Sequence, residues 1–572
     1  MAIARPRVRA PELRGSGGWI NVPAPLSLSR LRGKIVLLDF WTLACINCLH
    51  VVEEIRGLEE RFADELVVIG VHSPKFPHET DHAAVVQAVA RHRVRHPVID
   101  DPEMRTWQEY GVRAWPTLVL VDPSGYVVGG VSGEGHADAL TEVIESMVAD
   151  AEAAGTLSRK ALDVRPARAA TGVLAFPGKV ASDGAGRLVV ADTGHDRVLV
   201  LGLDGVVQAE LGPFSQPQGV RFDGDDVLVC EAVADRVWRV RLAGEPELLA
   251  EGISSPWEVV REGPRLVVCE AGRHRLWAID GSGARPIAGT GGENIVDGPA
   301  EDALLAQPSG VASLPDGGVA FVDSEVSALR VLRDGFVTTL VGQDLFEWGA
   351  ADGDGASARM QHPQGVAAAP DGALFVADTF NSRLRVWRDG GLTTLSVAGL
   401  DEPGGLDVLP DGRLVVADTG HHRILLVDPR SGEAERLEVS HQGTERQGVR
   451  ARPEAASSRQ TPSDRAELEV LGRIEQPGGS SFALELDAEL HGDALDPSSG
   501  PPVRLSISAE PPSVLGPGPT SWSLAELPAR AEVALGAVGI HGRIVVELRA
   551  AGCSGDVCRV HLRRAAWDVA LH

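Results

Sequence analysis

The stretch DFWTLACINC, residues 39–48, decides how the amino-terminal part of this chain folds. It overlaps the end of the apolar run KIVLLDF (34–40), which is typical of a strand buried on both faces of a sheet. A pattern with helical periodicity follows it over 48–62. Further strand and helix patterns alternate up to about residue 155, and this alternation predicts an α/β domain over residues 1–160.

The two cysteines of this stretch suit thiol–disulfide exchange. Cys45 is predicted at the start of the helix, where unpaired N–H groups and the helix dipole stabilise a thiolate. Cys48 lies one turn further and can attack a mixed disulfide formed on Cys45. A zinc site would require a second pair of ligands, and no other Cys-x-x-Cys occurs in the sequence. We therefore expect a redox pair, with no metal and no cofactor.

Further residues near this pair bear on the same chemistry. Asp39 ends an apolar strand, where a carboxyl group is costly unless it is used. It can exchange a proton with Cys48, or it can cap the strand end. Trp41 either flanks the disulfide or fills the core. The tripeptide Trp115-Pro116-Thr117 precedes another apolar strand and can form a turn that faces the cysteines.

From about residue 170 the sequence repeats. An acidic residue ends an apolar strand in each of six units, and Arg follows five positions later in all but the fourth, where Ala328 takes its place and Arg330 is the substitute. Units of about 40 residues predict propeller blades, so residues 165–441 are expected to form a six-bladed β-propeller. We expect the acid–Arg pair to set blade geometry through a charge-assisted hydrogen bond in every blade. The acidic positions are Asp192, Glu231, Glu270, Asp323, Asp378 and Asp418.

Two of the repeats contain insertions. The steps from Glu270 to Asp323 and from Asp323 to Asp378 are 53 and 55 residues, against 39 or 40 elsewhere. Loops placed on a rigid scaffold often carry binding. We therefore predict a partner- or ligand-docking face there, with ordinary solvated loops as the alternative. Its candidate residues are Asp297, Glu301, Phe346, Trp348, Asp352 and Asp354.

The rest of the chain is predicted to form a linker and a β-domain. Residues 442–466 are polar, contain Ser and Pro and have no periodicity, which indicates a linker. Residues 467–572 return to strand patterns and are predicted to form an antiparallel β-sandwich. Cys553 and Cys558 flank a predicted hairpin and are close enough in sequence for a cross-strand disulfide. They form either a second redox pair or a structural one.

Composition narrows the classes of function. With 54 basic and 80 acidic residues the formal net charge is −26, which opposes binding to nucleic acid. The first residues lack the apolar segment of a signal peptide, and no run of 18 apolar residues occurs, so we expect neither export nor a membrane span. Six cysteines in 572 residues are not a disulfide framework, and a reducing cytoplasm is the expected compartment.

These motifs together resemble known families. DFWTLACINC, Trp-Pro-Thr about 70 residues later and the strand around HPVIDD (96–101) resemble the thioredoxin fold in its TlpA/peroxiredoxin-like branch. The order of thioredoxin-like domain, six NHL-type blades and β-domain resembles the NHL repeat-containing protein 2 family. Local phrases support that resemblance, namely CINC, GVHSPKFPHE (70–79), WPTLV, GEGH (133–136) and MQHPQGV (360–366).

The resemblance assigns roles to individual residues. It implies that Cys45 is the nucleophile, Cys48 the resolving thiol, Asp39 the buried acid/base and Pro116 a cis-proline. The sequence departs from thioredoxins at Ala44 and at Ile46-Asn47, where thioredoxins carry Trp and Gly-Pro. General thioredoxin activity therefore does not follow from the resemblance.

We accordingly expect a thiol–disulfide oxidoreductase-like protein whose propeller and β-domain bind partners. Its partners would be a protein thiol or disulfide substrate, aligned as an added strand beside Pro116, and a reducing partner. The alternative is a non-enzymatic scaffold or redox sensor whose thioredoxin-like domain only binds partners. Binding to RNA or to membranes is not expected, and the sequence does not indicate the oligomeric state.

Overall fold

The computed structural model describes residues 7–166, 172–242 and 245–441, together with strands between residues 469 and 571. The chain divides into two compact units, Met1–Arg446 and Gln447–His572. The predicted linker, residues 442–466, lies outside the described residues.

The amino-terminal domain is a six-stranded sheet covered by helices, as the α/β pattern predicts. Strands β2, β3 and β4 are parallel, and the sheet has the order β1-β4-β3-β2-β5-β6. The strands are β1 (Gly18–Ile20), β2 (Ile35–Trp41), β3 (Leu66–His72), β4 (Val98–Asp100), β5 (Thr117–Val121) and β6 (Val127–Ser132). The helices are α1 (Ile46–Arg61), α2 (His82–Arg91), α3 (Arg105–Glu109) and α4 (Ala137–Ala153), with a 3-10 turn at Pro77–Thr80.

Strand β2 is buried along its whole length, because both faces of the sheet are covered. Ile35 and Leu37 pack with α1 and α4, whereas Val36 and Leu38 pack on the opposite face with Trp107 of α3. Side chains alternate along a strand. Asp39 therefore belongs to the face that α1 covers, which is the helix that begins beside Cys45.

Six antiparallel sheets follow and form the propeller. The first blade contains β7 (Pro177–Ser182), β8 (Arg187–Asp192), β9 (Arg197–Gly202) and β10 (Val206–Leu211). The second contains β11 (Pro217–Asp223), β12 (Asp226–Glu231), β13 (Arg236–Arg241) and β14 (Glu247–Glu251). The third contains β15 (Pro256–Glu262), β16 (Arg265–Glu270), β17 (Arg275–Asp280) and β18 (Gly283–Ala288).

The fourth blade contains β19 (Gly298–Pro299), β20 (Pro308–Ser313), β21 (Val319–Asp323), β22 (Ala328–Arg333) and β23 (Phe336–Val341). The fifth contains β24 (Gly353–Asp354), β25 (Gly365–Ala368), β26 (Leu374–Asp378), β27 (Arg383–Arg388) and β28 (Gly391–Thr394). The sixth contains β29 (Pro403–Val408), β30 (Leu414–Asp418), β31 (Arg423–Val427) and β32 (Ala434–Leu437). The ring closes where β33 (Ser440–His441) pairs in parallel with β10 and where Thr419 Oγ1 donates to the carbonyl of Pro177 at 2.7 Å. Short 3-10 turns lie at Thr193–His195, Ser324–Val326 and Thr379–Asn381.

The two insertions are partly folded into the sheets. Strand β19 pairs with the outer strand β23 of the fourth blade, and β24 pairs with β28 of the fifth. Each insertion therefore adds a short fifth strand to its blade instead of forming a free loop throughout.

The repeated acidic residue does not always pair with the predicted Arg. The expected partner five positions on is used in the first and sixth blades, where Arg197 and Arg423 bond to their acids at 2.8 and 2.7 Å. The fourth and fifth blades use Arg seven positions on, and the second and third use Trp seven positions on. The substitute Arg330 of the fourth blade is thus confirmed. The prediction was wrong for the second, third and fifth blades, because positions five and seven lie on one face of the next strand and either can reach the acid. The four pairs at position seven are Asp323–Arg330, Asp378–Arg385, Glu231–Trp238 and Glu270–Trp277.

The carboxy-terminal unit is rich in strands, as predicted. One sheet has the order β34-β41-β40-β37-β38 with β36 paired to β40, and β35 pairs with β39 in a second sheet. The expectation of antiparallel pairing fails for β34 and β41, the first and last strands of the unit, which pair in parallel. The strands are β34 (Glu469–Gln476), β35 (Ser481–Leu486), β36 (Ala494–Leu495), β37 (Val503–Glu510), β38 (Ser521–Leu524), β39 (Ala529–Ala534), β40 (His541–Ser554) and β41 (Val557–Leu571).

Candidate functional site

Cys45 and Cys48 form a disulfide at the start of α1. Cys45 is the residue that caps the helix, and its Sγ accepts a hydrogen bond from the backbone N–H of Cys48 at 3.1 Å. Cys48 is fully buried, whereas Cys45 is partly exposed. The outer sulfur thus lies where helix N–H groups favour a thiolate after reduction, as the sequence predicts.

Asp39 is fully buried on the face of the sheet that α1 covers. Neither of its carboxyl oxygens has a hydrogen-bond partner within the described part of the chain. Burial raises the pKa of Asp39 to about 7; a charge on His96 acts to lower it and Glu59 acts to raise it. A carboxyl group that titrates near neutral pH is suited to exchange a proton with a thiol.

The aromatic residues singled out in the sequence surround the disulfide. Trp41 is fully buried in an apolar cluster that includes Cys48, with Cys45 and Trp115 packed against it. The Trp115–Pro116 peptide bond is cis, and Trp115 Nε1 donates to the carbonyl of Ser73 at 2.9 Å. Thr117 begins β5, and its hydroxyl donates to the carbonyl of Ala114 at 2.7 Å.

A ring of six propeller residues forms the other side of the site. Each directly precedes the proline at the inner edge of its blade and has a φ between 45° and 63°, in the left-handed region. The repeated acidic residue of the blade holds each one in place, because its carboxylate accepts the N–H of the residue just before the ring position. We call these residues the pre-proline ring: Phe176, Gln216, Ser255, Gln307, His362 and Glu402.

Gln307 of this ring binds the disulfide loop directly. Its Oε1 accepts from the N–H of Ile46 at 3.1 Å, and its Nε2 donates to the carbonyl of Ala44 at 3.0 Å. One side-chain amide therefore satisfies the backbone on both sides of Cys45. Ile46 is also part of an apolar core otherwise built from propeller residues, including Trp257. The propeller therefore covers the edge of the disulfide loop formed by Ala44 and Ile46, which we call the rim.

The segment after β3 contacts the ring at a second place. The ring of Phe76 lies 5.4 Å from that of His362 and 5.0 Å from that of Trp348. His78 Nε2 bonds to Glu402 Oε1 at 2.7 Å, and Arg91 of α2 pairs with the same carboxylate. Burial opposes the charge on both partners, but their pairing outweighs it, so that the pKa of His78 is raised and that of Glu402 is lowered.

These contacts change the interpretation of the predicted docking face. Trp348 packs against the chain's own thioredoxin-like domain. Asp297 and Asp352 each bind an Arg and a Thr of their own blade, at 2.7 to 3.0 Å for the side-chain bonds. Asp354 accepts from the hydroxyl of Ser357 at 2.6 Å. The three aspartates anchor the insertions, whereas Glu301 and Phe346 are exposed.

His50 is a further link that sequence reasoning missed. Its Nδ1 bonds to Glu134 Oε2 at 2.6 Å, and its Nε2 bonds to Ser255 Oγ of the ring at 2.7 Å. These residues line a cavity of about 310 Å³ between α1 and the propeller, together with Leu49 and Trp257. The available signal was the proline repeated at the start of the blades, since the residue before it bonds to α1 in the third and fourth blades.

The remaining four cysteines belong to the propeller and to the carboxy-terminal unit. Cys230 and Cys269 are buried free thiols in neighbouring blades, and burial raises the pKa of both. The register of β40 and β41 places Cys553 directly opposite Cys558, so a disulfide between them stays a prediction. Within the described residues, no group of three or more His, Cys, Asp or Glu side chains is arranged to hold a metal ion. Over those same residues, none of the helices combines the length and apolar character needed to span a bilayer.

Comparison with known proteins agrees with this architecture. Residues 33–127 match the thioredoxin-like family, and residues 400–425 match the NHL repeat. NHL repeat-containing protein 2 of Homo sapiens is 33% identical over 454 residues, which cover 66% of this chain and 62% of that protein. Protein SUPPRESSOR OF QUENCHING 1, chloroplastic, of Arabidopsis thaliana is 31% identical over 432 residues, which cover 66% of this chain and 41% of that protein.

A bacterial relative matches the first domain alone. Thiol-disulfide oxidoreductase YkuV of Bacillus subtilis is 22% identical over 143 residues, which cover 25% of this chain and 95% of that protein. The chain spans less than two thirds of the two longer relatives. A thioredoxin-like domain followed by a six-bladed propeller with an NHL repeat, together with 33% identity over 66% of its length, makes this chain a homologue of NHL repeat-containing protein 2.

Proposed function

We propose that this protein carries out thiol–disulfide exchange at Cys45 and Cys48. The observation that carries the proposal is the disulfide between these residues at the start of α1, the helix that covers the sheet face of Asp39, a buried carboxyl group with no hydrogen-bond partner among the described residues. The match to a domain named as a thiol–disulfide oxidoreductase supports the same chemistry. The pair requires a reducing partner and fits a reducing compartment, for which we propose the cytoplasm.

The reaction proceeds through a mixed disulfide. The Cys45 thiolate attacks one sulfur of a substrate disulfide, and the other substrate sulfur leaves as a thiolate that takes up a proton. Cys48 gives its proton to Asp39 and attacks Cys45 Sγ, which releases the second substrate thiolate and forms the Cys45–Cys48 disulfide. Two electrons have then moved from the pair to the substrate, and a thiol of the reducing partner restores the pair.

The surroundings of Cys45 restrict what reaches it. Gln307 covers the backbone on the Ala44 and Ile46 side, whereas Arg113 and Ala114, just before the cis peptide bond, are exposed. We propose that an extended substrate segment aligns on this open side, beside Pro116. A folded substrate that needs the whole rim requires the propeller to move away.

A non-enzymatic role is the second candidate. It is favoured by the coverage of the disulfide loop, because a pair held against a propeller can serve as a redox sensor without turnover. In that case the exposed surfaces of the propeller and the β-domain bind partners. Oxidation or reduction of the disulfide then changes the contact between the thioredoxin-like domain and the propeller.

The two candidates are separated by assaying disulfide reduction with the full chain. We expect reduction of a disulfide-containing peptide to be lost in Cys45→Ser and retained in Cys230→Ala, which removes a buried thiol outside the site. Cys48→Ser should accumulate a mixed disulfide on Cys45, and mass spectrometry identifies the captured protein. If wild type and Cys45→Ser have equal rates, the enzymatic proposal is wrong and the sensor or scaffold role remains.

A further inference from the structure

A line of ionisable groups leads from Asp39 towards the surface. Asp39 of β2 lies opposite Gly70 of β3 in the parallel register. A Cβ atom on Gly70 would lie 3.3 Å from His96 Nε2 and 3.0 Å from Trp41 Nε1. The absence of a side chain at position 70 therefore leaves room for the His96 imidazole beside the strand that carries Asp39.

His96 is held firmly in this position. Asn21 Nδ2 donates to the carbonyls of His96 and Val94, both at 2.8 Å, and the N–H of Gly70 donates to the carbonyl of Pro97 at 2.9 Å. The His96 side chain is 2% exposed, and neither ring nitrogen has a hydrogen-bond partner in the described ranges. A buried imidazole that makes no hydrogen bond is costly, which points to a use beyond packing.

Glu59 of α1 continues the line to solvent. Its Oε1 lies 3.3 Å from His96 Nδ1, and its side chain is 25% exposed. His72 at the end of β3 is not part of the line, because its Nδ1 faces Asp100 at 3.2 Å. His96 and Glu59 are thus the charged groups that act on Asp39, one from the segment before β4 and one from α1.

We propose that His96 and Glu59 form the route by which Asp39 exchanges its proton with solvent, which makes His96 a positioning residue for the step at Cys48. The inference rests on the proposed exchange at Cys45 and Cys48. Asp39 takes the proton of the Cys48 thiol and passes it, directly or through one water, to Nε2 of His96. The imidazole releases its Nδ1 proton to Glu59 and from there to water, so no charge stays buried.

The electrostatics of the line support this route. A charge on His96 lowers the pKa of Asp39, whereas the charge of Glu59 raises it. Removing one group or the other should therefore move the titration of Asp39 in opposite directions. A purely structural role for either residue does not produce this pair of opposite shifts.

The test compares His96→Gln and Glu59→Gln with Glu60→Gln, an exposed residue on the same helix, in the full chain. The rate of Cys45–Cys48 closure by glutathione disulfide is measured against pH. We expect the midpoint to rise by about half a pH unit or more in His96→Gln, to fall in Glu59→Gln and to stay unchanged in Glu60→Gln. The rate near neutral pH should fall in His96→Gln, because less Asp39 is ionised.

A second readout does not depend on turnover. Titration of Asp39 by carbon-13 NMR in the disulfide form should give the same two shifts, and Glu59→Gln provides the test if His96→Gln does not fold. Unchanged midpoints, or shifts in one direction for both variants, overturn the route while leaving the exchange reaction intact. Loss of Cys45-dependent closure in wild type would instead refute the proposed function, whereas the NMR titration would still show whether His96 and Glu59 act on Asp39.

Discussion

Asp39 of the thioredoxin-like domain and Asp378 of the propeller are equally buried and have opposite surroundings. Asp378 accepts from the N–H of Gln361 and pairs with Arg385, both at 2.7 Å. Asp39 has no partner within the described residues. Burial raises the pKa of both, to about 6 for Asp378, where Arg385 acts against it, and to about 7 for Asp39. Hydrogen-bond and ion-pair partners, and not the degree of burial, therefore distinguish a structural carboxylate from one that can exchange a proton.

Removing the partner of Asp378 should have the largest effect. Arg385→Met leaves a buried carboxylate unpaired and should lower the free energy of unfolding of the propeller by about 3–5 kcal/mol. Arg383→Met, at the position the repeat had indicated, should cost under about 1 kcal/mol because its side chain is exposed. Urea unfolding of both variants checks this. Equal losses would mean that Arg383 also stabilises the blade.

The free energy of unfolding should depend on pH, because Asp39 is buried with no hydrogen-bond partner in the described part of the chain. Its pKa is raised from 3.8 to about 7, so folding favours the neutral acid. This contribution to the free energy of unfolding is present below about pH 4, is lost as the pH rises through about 7, and amounts to on the order of 4 kcal/mol. Asp39→Asn should remove this slope and be more stable than wild type at pH 8. Urea midpoints at several pH values measure it, and a less stable variant at pH 8 would contradict the assignment.

The same substitution should slow the chemistry. Asp39→Asn cannot accept the proton of Cys48, so closure of the pair should fall about 100-fold at neutral pH, while attack by Cys45 stays near the wild-type rate. Stopped-flow measurement of the two steps, with the mixed disulfide quantified by mass spectrometry, separates them. Equal slowing of both steps would assign Asp39 a structural role.

Opening the rim of the site should have the smallest effect. Gln307→Ala removes two hydrogen bonds to the disulfide loop, worth about 1–2 kcal/mol together. Alkylation of reduced Cys45 by iodoacetamide should therefore become several-fold faster. Gln216→Ala is the matched control from the same ring, with its side chain at the cavity and not at the disulfide loop. Identical rates in all three proteins would show that Gln307 does not restrict access to Cys45.

Much of the fold follows from local patterns. The strand before Cys45, the helix after it and the six blades each have a periodicity or a repeated phrase of their own. The partner of the repeated acid in the second, third and fifth blades could not be predicted, since positions five and seven after it share one strand face and only packing selects between them. The parallel pairing of β34 with β41 was likewise unpredictable, because about 80 residues separate the two strands.

The residues of the candidate site likewise fall into those that the sequence predicts and those that only the structure identifies. Cys45, Cys48 and Asp39 stand out along the chain because their chemistry depends on neighbours in sequence: a buried strand, a turn and the first turn of a helix. The pre-proline ring, His96 and Gln307 do not, because their roles arise from contacts between segments tens to hundreds of residues apart. The amino-acid sequence by itself determined the reactive pair and the order of the domains. Only the tertiary structure decided what covers that pair and which groups surround its buried carboxyl, since those depend on how separate segments pack.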